Sequence, residues 1–414
     1  MRPIFLAFLL IGAGIAAQTP PLRAQAPPPE VESPEITRTP ITIGHFETLS
    51  SEILGEERTL MVRLPPGYGT SSARYPVLYL LDPRTWFEHA AGTLGALERT
   101  GHMPESILVG VINTQRARDL TPPWTDEASI AEEEGRDQLV AIGGGAENFL
   151  AFFRDELIPE VEKRYRTAPM RLLVGHSFGG LFVLHALTRE PDLFAATIAI
   201  SPSVWWDAGR AVDQARELFR QRPQIEHRFF LALANEGGEM AAQSERLRTF
   251  LLHEAPPGLR WHAERIDGET HGSIPLASLY PALRFSFPRW AVPNYRLDEG
   301  LAAVDAHFAS LARDFGIPVT TPESTIGYLG RVALGQGESE KAIEIFTTNV
   351  ERYPTSANAH DSLGGALEAS GELERALGLY KKALSLARAH GDDESSLAAF
   401  QARIDAVRAK MESP

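Results

Sequence analysis

The chain has 414 residues, of which 43% are hydrophobic and 23% charged, and its formal net charge is −14. This length predicts two or three domains, and the hydrophobic content is sufficient for a sizeable core. The negative charge argues against a nucleic acid or an anionic membrane as partner, because both require clustered lysine and arginine. The sequence has no cysteine, which excludes disulfides, a thiolate nucleophile and cysteine-ligated metals.

Residues 1–26 have the pattern of a secretory signal peptide. Arg2 provides the positive start, Ile4–Ala17 is an apolar run, and Ala24–Ala26 fits a small-x-small cleavage site, with a site near Ala17 as the alternative. A membrane-spanning helix needs roughly 18 to 20 apolar residues, so an uncleaved anchor is the weaker interpretation. We therefore expect a periplasmic or secreted protein without stable membrane insertion after cleavage.

Residues 27–40 are rich in proline and charge and predict an extended, disordered lead-in, and residues 41–290 predict an α/β domain. Short apolar runs in this domain suit strands buried on both faces of a mostly parallel sheet. Helical spacing over Asn148–Tyr165 and Phe178–Thr188 predicts crossovers of a doubly wound fold, which binds ligands beyond the carboxyl ends of its strands. The predicted strands are Arg58–Leu64, Val77–Leu81, Ile107–Ile112, Arg171–Val174, Ala196–Ile200, Phe229–Ala234 and Leu259–Ile266.

The pattern changes to helices after Trp290. Residues 291–322 predict a connector with one helix over Leu297–Phe315, and residues 323–412 predict an all-α module of tetratricopeptide-like repeats. Two repeats over 323–390 are too few for a long concave groove. Stabilisation or self-association of the chain and binding of a protein partner therefore stay equal alternatives. The positions that recur 34 residues apart are Leu329 and Leu363, Gly330 and Gly364, Ala342 and Ala376, and Phe346 and Tyr380, and a capping helix is predicted over Ser395–Met411.

The sequence Gly-His-Ser-Phe-Gly-Gly at 175–180 follows a predicted strand and precedes a predicted helix, as a G-x-S-x-G nucleophile elbow requires. Gly175 and Gly179 fit this tight turn because a β-carbon at either position is expected to collide with neighbouring backbone. The turn exposes the Ser177 hydroxyl and brings the Phe178 N–H to a helix start, where it can stabilise an oxyanion. Ser177 is the predicted nucleophile, and a purely structural glycine-rich turn is the alternative.

A serine hydroxyl needs a base to take its proton, and on this type of fold the chain order is serine, acid, histidine. His271 lies in a polar, glycine-flanked loop after the last predicted strand, and it is the predicted base. The other histidines fit less well. His253 and His262 fall on a helix and inside a strand, and His176 and His185 precede any acid.

The acid that orients His271 is expected just after the strand Phe229–Ala234. Glu236 is nearest the strand end and precedes two glycines that suit a tight loop, so it is favoured. Glu239 is the alternative, although it fits better at the start of the next helix, where the helix dipole favours an acid. Asp267 is the third candidate.

The second oxyanion donor is expected in the loop that follows Val77–Leu81. Pro83 has no N–H, so the backbone N–H of Arg84 or Thr85 is the predicted donor. The run Gly143–Gly145 precedes a helix and lacks the Lys-Ser/Thr of a phosphate loop, so we interpret it as a flexible loop. The histidines lack ligand spacing and there is no dinucleotide fingerprint, so neither a metal nor an organic cofactor is implied.

Several segments, in this order, resemble the "Putative esterase" family of α/β-hydrolases, which includes siderophore esterases, S-formylglutathione hydrolases and mycolyltransferases. They are Tyr75–Asp82, Asn113–Pro122, the serine elbow, Ser201–Trp206 and the His271 loop. The resemblance implies a serine esterase that acts through an acyl-enzyme on Ser177, with siderophore lactones or small acyl esters as substrates. The sequence departs from the family at Pro83, where glycine is common, and in its helical tail.

The arginine–aspartate segment is most similar to the siderophore esterases, in which such an arginine lies near the catalytic cleft. The resemblance implies that Arg116, Arg118 and Asp119 line the site, and an ion pair that only pins the loop is an equal alternative. Trp205 and Trp206 are expected either to wall an acyl or aromatic pocket or to pack beneath it.

Two other functions fit the sequence. One is an acyltransferase that uses the same serine, and the other is a non-catalytic scaffold that binds a protein partner through its helical repeats. The combination of Ser177, Glu236 and His271 argues against a scaffold, which has no need of an exposed serine on a strained turn.

Overall fold

A mixed sheet of eight strands lies at the centre of the computed structural model, which describes residues 40–69, 71–125 and 136–412. The predicted signal peptide and the lead-in up to residue 39 lie outside these residues, so both stay predictions. From Thr42 onward the described residues form one compact unit.

The sheet confirms the expected mostly parallel α/β fold. The strand order is β1-β2-β4-β3-β5-β6-β7-β8. The β1–β2 and β2–β4 pairs are antiparallel and the other pairs are parallel. The strands are β1 His45–Ser51, β2 Glu56–Arg63, β3 Tyr75–Leu81, β4 Ile107–Val111, β5 Thr167–His176, β6 Ala196–Ile200, β7 His227–Leu233 and β8 Leu259–Arg265.

Burial explains which strands the sequence reveals. All seven residues of β3 and all five of β4 are buried, so both read as continuous apolar runs. Their side chains alternate between two cores, with Leu78 and Leu80 in one and Val77 and Tyr79 in the other. Strand β1 was not predicted, because it lies at the sheet edge and most of its residues are exposed or half-buried.

Helices cover both faces of the sheet. The predicted helix Asn148–Tyr165 consists of two α-helices joined by a π-helical turn over Phe153–Leu157, and a 3₁₀ turn over Trp206–Gly209 precedes another helix. The α-helices of this part are α1 Pro83–Arg99, α2 Arg116–Leu120, α3 Arg136–Ala141, α4 Ala146–Phe152, α5 Ile158–Arg164, α6 Phe178–Arg189, α7 Arg210–Gln221, α8 Gly238–Glu254 and α9 Ile274–Ser286.

The C-terminal region is helical, as expected. The predicted connector helix Leu297–Phe315 is interrupted at Gly300, whose φ of 90° is unsuited to a helix interior. The α-helices are α10 Asn294–Asp298, α11 Leu301–Phe315, α12 Glu323–Gly335, α13 Ser339–Arg352, α14 Ala357–Ala369, α15 Leu373–His390 and α16 Glu394–Glu412.

The 34-residue repeat corresponds to a repeated contact between paired helices. A β-carbon added at Gly330 would lie 2.5 Å from the Phe346 ring, and one added at Gly364 would lie 2.8 Å from the Tyr380 ring. Each glycine of α12 and α14 therefore makes room for an aromatic ring of the next helix. The contact explains why Leu-Gly and the aromatic residue recur together. The assignment to a tetratricopeptide-like repeat stays a prediction.

The C-terminal helices extend one of the two cores away from the carboxyl ends of the strands. The Arg228 guanidinium, near the start of β7, lies 4.6 Å from the centre of the Phe315 ring. That ring packs on Phe287 and Trp290, with ring centres 5.8 and 5.5 Å apart. The helical region therefore packs near the amino ends of the strands, opposite the edge where such sheets bind ligands.

Two buried histidines are expected to make the free energy of unfolding depend on pH. Burial lowers the pKa of His185 and His227 from 6.5 to about 4, because the charged rings would lose water. Below pH 6.5 the unfolded chain therefore binds protons that the native chain does not. The free energy of unfolding should fall by roughly 2 kcal/mol per histidine between pH 7 and pH 5.

Urea unfolding of the wild type and of His227→Gln at both pH values tests this expectation. Glutamine cannot titrate, so the variant should lose less stability on acidification. His390→Gln, at an exposed position of α15, is the matched control and should behave like the wild type. Identical pH slopes for the wild type and His227→Gln would contradict the prediction.

Candidate active site

The elbow around Ser177 has the geometry that a nucleophile turn requires. Ser177 connects β5 to α6 with φ 61° and ψ −119°, a conformation that L-residues rarely adopt. A β-carbon at Gly175 would lie 2.2 Å from the Gly179 carbonyl oxygen, and one at Gly180 would lie 2.8 Å from the Pro202 Cα. The expected collision at Gly179 was wrong, because its nearest neighbour would be at 3.4 Å, an ordinary contact.

An open pocket of about 500 Å³ lies over the elbow, at the carboxyl ends of the parallel strands. Ser177 follows β5, Ser203 follows β6, Glu236 follows β7 and His271 follows β8. Since these strands are parallel neighbours, the four side chains meet at one edge of the sheet. The residues that line the pocket are Ser177, Phe178, Ser203, Trp205, Asn235, Glu236, Gly237, Met240, Thr270 and His271.

The structure brings His271 and Glu236 together. His271 Nδ1 lies 2.5 Å from Glu236 Oε1, and the Glu236 side chain is only 9% exposed. Glu239 lies in the first turn of α8, and Asp267 is exposed. A buried carboxylate on Nδ1 leaves Nε2 of the imidazole available as a base, so the geometry supports Glu236 over the other two acids.

The Ser177 hydroxyl contacts a residue that the sequence did not reveal. Ser177 Oγ lies 3.2 Å from Ser203 Oγ, and the Ser203 N–H donates to the Ser177 carbonyl oxygen over 3.0 Å. Ser203 belongs to the predicted segment Ser201–Trp206, and its position after β6 was the available signal. The neighbouring parallel strand β5 ends at the elbow, so residues just after β6 are expected near Ser177.

His176, which precedes the elbow serine, contacts the loop that carries His271. His176 Nε2 lies 2.7 Å from the His271 carbonyl oxygen, and the two ring centres are 4.6 Å apart. Burial, and then the positive charge of a protonated His271, lower the pKa of His176 to about 4. The His176 ring is therefore neutral at neutral pH and donates through Nε2.

Arg116 lies beside the elbow but is not among the residues that line the pocket, so its predicted contact with substrate stays a prediction. Its Nε and Nη2 donate to the two Asp82 carboxylate oxygens over 2.7 and 2.8 Å, and Nη2 also donates to the His176 carbonyl oxygen over 3.3 Å. The guanidinium lies 5.4 Å from the centre of the Phe178 ring. Arg116 therefore ties the loop after β3 to the elbow, and its side chain is 41% exposed.

The source of the second oxyanion donor stays a prediction. The Thr85 N–H donates to the Asp82 carbonyl oxygen over 3.1 Å, so it is already engaged. Arg84 occupies the second position of α1, where a helix leaves the N–H without a partner inside the helix. Neither residue is among those that line the pocket.

Arg118 and Asp119 belong to an ion network and are not among the residues that line the pocket, so the structure favours the alternative in which they pin the loop by ion pairs. Asp119 is 1% exposed and accepts from Arg58 Nη1 over 2.7 Å, Asn113 Nδ2 over 3.0 Å and Arg118 Nε over 2.9 Å. Arg118 also donates to Glu56 Oε1 over 2.6 Å. Arg58 and Glu56 lie on β2, so the network pins the segment after β4 to the sheet.

The two tryptophans have different positions. Trp205 is half-buried and lines the pocket. Trp206 is 1% exposed, donates through Nε1 to the Pro122 carbonyl oxygen over 2.9 Å and packs on Trp124 with ring centres 5.0 Å apart. Trp205 therefore forms part of the wall, and Trp206 packs beneath it.

The glycine run at 143–145 packs closely on neighbouring residues, which argues against our interpretation as a flexible loop. A β-carbon at Gly143 would lie 2.6 Å from Thr121 Oγ1, and the Gly145 N–H donates to the Arg118 carbonyl oxygen over 2.7 Å. Gly143 and Gly145 are needed for close approach to Thr121 and Arg118, and Gly144 for its φ of 92°.

Two negative findings concern only the part of the chain that the structure describes. None of its helices is long and apolar enough to cross a membrane. None of its His, Asp and Glu side chains form a group of three or more that could hold a metal ion.

Comparison with known proteins yields one family and many relatives. Residues 51–259 match the family described as "Putative esterase". The chain is 30% identical over 269 residues to the ferri-bacillibactin esterase BesA of Bacillus subtilis (strain 168), which covers 60% of this chain and 92% of that protein. It is 35% identical over 157 residues to a siderophore enterobactin esterase of Emericella nidulans, which covers 34% of this chain and 50% of that protein.

Solved structures show the same fold. An IroE-like serine hydrolase from Shewanella oneidensis aligns with a TM-score of 0.64 at 30% sequence identity, and the alignment covers 74% of this chain and 99% of that one. The family match over residues 51–259 includes Ser177 and Glu236, and His271 lies beyond its end.

Proposed function

The chain belongs to the "Putative esterase" family and is a carboxylic-ester hydrolase, and from this premise we propose that it hydrolyses siderophore esters through an acyl-enzyme on Ser177. The observation that carries the proposal is the strained Ser177 elbow in the same pocket as the His271–Glu236 pair. A polar pair of this kind in the same pocket as a serine hydroxyl is the arrangement that makes the hydroxyl nucleophilic.

The reaction proceeds in two steps. His271 takes the Ser177 proton as Oγ attacks the ester carbonyl carbon, and Glu236 stabilises the imidazolium through Nδ1. The Phe178 N–H, in the first turn of α6, donates to the oxyanion. His271 then gives the proton to the leaving alkoxide as the C–O bond breaks. Water attacks the acyl-enzyme with the same base and releases the carboxylic acid and Ser177.

The pocket lining supports an aromatic substrate. Phe178, Trp205 and Met240 provide an apolar wall beside the polar Ser177, and Trp205 and Phe178 lie with ring centres 6.1 Å apart. Planar catechol or other aromatic groups pack well against such a wall. The names of the bacterial and fungal relatives point to siderophore esters, and a wide, open pocket suits so large a substrate.

Hydrolysis is favoured over acyl transfer by solvent access to the base. The His271 side chain is 43% exposed, so water can reach the position from which it attacks the acyl-enzyme. An acyltransferase needs to exclude this water or to bind its acceptor tightly.

We further propose that the first residues act as a secretion signal, which would place hydrolysis in the periplasm or outside the cell.

The experiment compares the wild type with Ser177→Ala on p-nitrophenyl acyl esters of graded length and on a tricatechol trilactone, with and without bound iron. We expect serine-dependent turnover that falls by at least about 10⁴-fold in Ser177→Ala. Ser385→Ala, at an exposed position of α15, is the matched control and should keep full activity. The preferred ester identifies the substrate class.

Three outcomes would contradict parts of the proposal. Folded wild-type protein that neither turns over esters nor reacts with a fluorophosphonate would favour the scaffold. Transfer products formed with added alcohols in place of free acid would favour the acyltransferase. Strong turnover of small esters with none of the trilactone would retain the serine esterase and reject the siderophore substrate.

A further inference from the structure

We infer that His176 is a positioning residue that holds the His271 loop in register with the nucleophile elbow. The inference rests on the proposed roles of Ser177 and His271. It assigns a function to the residue at the variable position before the elbow serine. That function is a hydrogen bond from one catalytic segment to the other.

The contact links two segments that are distant in sequence. His176 Nε2 donates to the His271 carbonyl oxygen over 2.7 Å, although 95 residues separate them. Because His176 and Ser177 are consecutive, this bond fixes the backbone of the base relative to that of the nucleophile. Catalysis needs this distance to be well defined, since Ser177 Oγ and His271 must exchange a proton in both steps.

His176 is itself held on several sides. It is the last residue of β5, and its carbonyl oxygen accepts from Arg116 over 3.3 Å. The Trp86 ring packs edge-on against its imidazole, with ring centres 5.8 Å apart. The His176 ring is therefore attached to the sheet and packs against Trp86 of α1, which gives it a defined position.

The loop that carries His271 makes its other backbone hydrogen bonds at neighbouring residues, on either side of His271. The Asn235 N–H donates to the Glu269 carbonyl oxygen over 3.1 Å, and the Thr270 N–H donates to Ser273 Oγ over 3.0 Å. Glu236 holds the His271 imidazole through Nδ1. His176 supplies the bond to the His271 backbone, so ring and backbone are fixed by different partners.

The protonation state of His176 suits this function. Burial lowers its pKa to about 4, so it keeps a single proton at neutral pH, and the contact with a carbonyl oxygen places that proton on Nε2. A neutral ring does not oppose the imidazolium that forms on His271, with ring centres only 4.6 Å apart. His176 therefore donates without competing for the Ser177 proton.

The test compares His176→Gln with His176→Asn. The glutamine amide can reach the His271 carbonyl oxygen, whereas the asparagine amide is one carbon shorter and cannot. A misplacement of about 1 Å can cost about 100-fold in rate, so we expect kcat of His176→Asn to fall by about 10- to 100-fold with KM changed by less than about threefold. His176→Gln should stay within about threefold of the wild-type kcat.

His176→Leu is a second variant without a donor, and His185→Asn is the matched control. His185 is buried and its pKa is also lowered to about 4, but it lies in α6, where its Nε2 is 3.3 Å from a Glu147 carboxylate oxygen. His185→Asn should leave kcat within about twofold of the wild type, as expected for a residue outside the positioned pair. Thermal unfolding of every variant is measured in parallel.

Equal losses in the glutamine, asparagine and leucine variants would overturn the inference, because the donor would then not matter. Full activity in all three would overturn it as well. If asparagine and leucine abolish folding while glutamine does not, His176 serves stability and the inference also fails. Failure of the proposed function gives a different result, since the wild type would then show no Ser177-dependent turnover at all.

Discussion

Replacing Glu236 with glutamine is expected to lower kcat by about 10³- to 10⁴-fold with little change in KM. Glu236 Oε1 accepts the Nδ1 proton of His271 over 2.5 Å in the structure. A glutamine can turn its amide N–H toward Nδ1 and so stabilise the tautomer that carries its proton on Nε2. That tautomer cannot accept the Ser177 proton, while the pocket walls that bind the ester are unchanged. Steady-state kinetics on the preferred ester provides the measurement.

Glu239→Gln is the matched control for this substitution. Glu239 lies only three residues further along the chain, but it belongs to the first turn of α8 and does not line the pocket. We expect its kcat to remain within about threefold of the wild type, and the same holds for Asp267→Asn. A large loss in either control, with an active Glu236→Gln, would assign the acid role to that residue and contradict the geometry.

Burial explains how much of the fold the sequence predicts. Strands β3 to β7 lie inside the sheet, and both of their faces pack against a hydrophobic core. Their apolar runs are therefore continuous, and the sequence predicts these strands well. The edge strand β1 has no such run. The break in the predicted helix Asn148–Tyr165 is a π-helical turn that ends just before Pro159, and a proline inside a predicted helix was the available signal.

The sequence predicts some residues of the candidate site and misses the contacts between others. The serine, acid and histidine each follow a parallel strand, and that rule alone places Ser177, Glu236 and His271 at one edge of the sheet. The sequence does not show which side chains at the ends of neighbouring strands contact one another. The contact of His176 with the His271 backbone and the pairing of Asp119 with Arg58 both join residues at least 60 positions apart, so spacing could not predict them.

Asp119→Ala is expected to lower the free energy of unfolding by about 3 kcal/mol or more. Arg58 is fully buried, and Asp119 Oδ2 accepts from its Nη1 over 2.7 Å. Without Asp119, the buried guanidinium keeps one carboxylate partner, Glu56, which is 25% exposed and contacts Nη2. The positive charge of Arg58 is then only partly compensated. Asp119 does not line the pocket, so KM and kcat of the folded variant should stay within about threefold of the wild type.

Urea unfolding, with kinetics at a temperature where the variant is folded, tests both parts of this prediction. Asp192→Ala is the matched control, since Asp192 pairs with Arg222 at the surface with 78% of its side chain exposed, and such pairs contribute at most about 1 kcal/mol. A second variant, Asp119→Leu with Arg58→Met, should recover much of the loss, because a buried ion pair replaced by apolar side chains leaves no uncompensated charge. A raised KM with unchanged stability in Asp119→Ala would instead place Asp119 at the substrate. The Arg58–Asp119 pair would then be incidental, and the pinning of the loop after β4 would have to come from Arg118 and Glu56 alone.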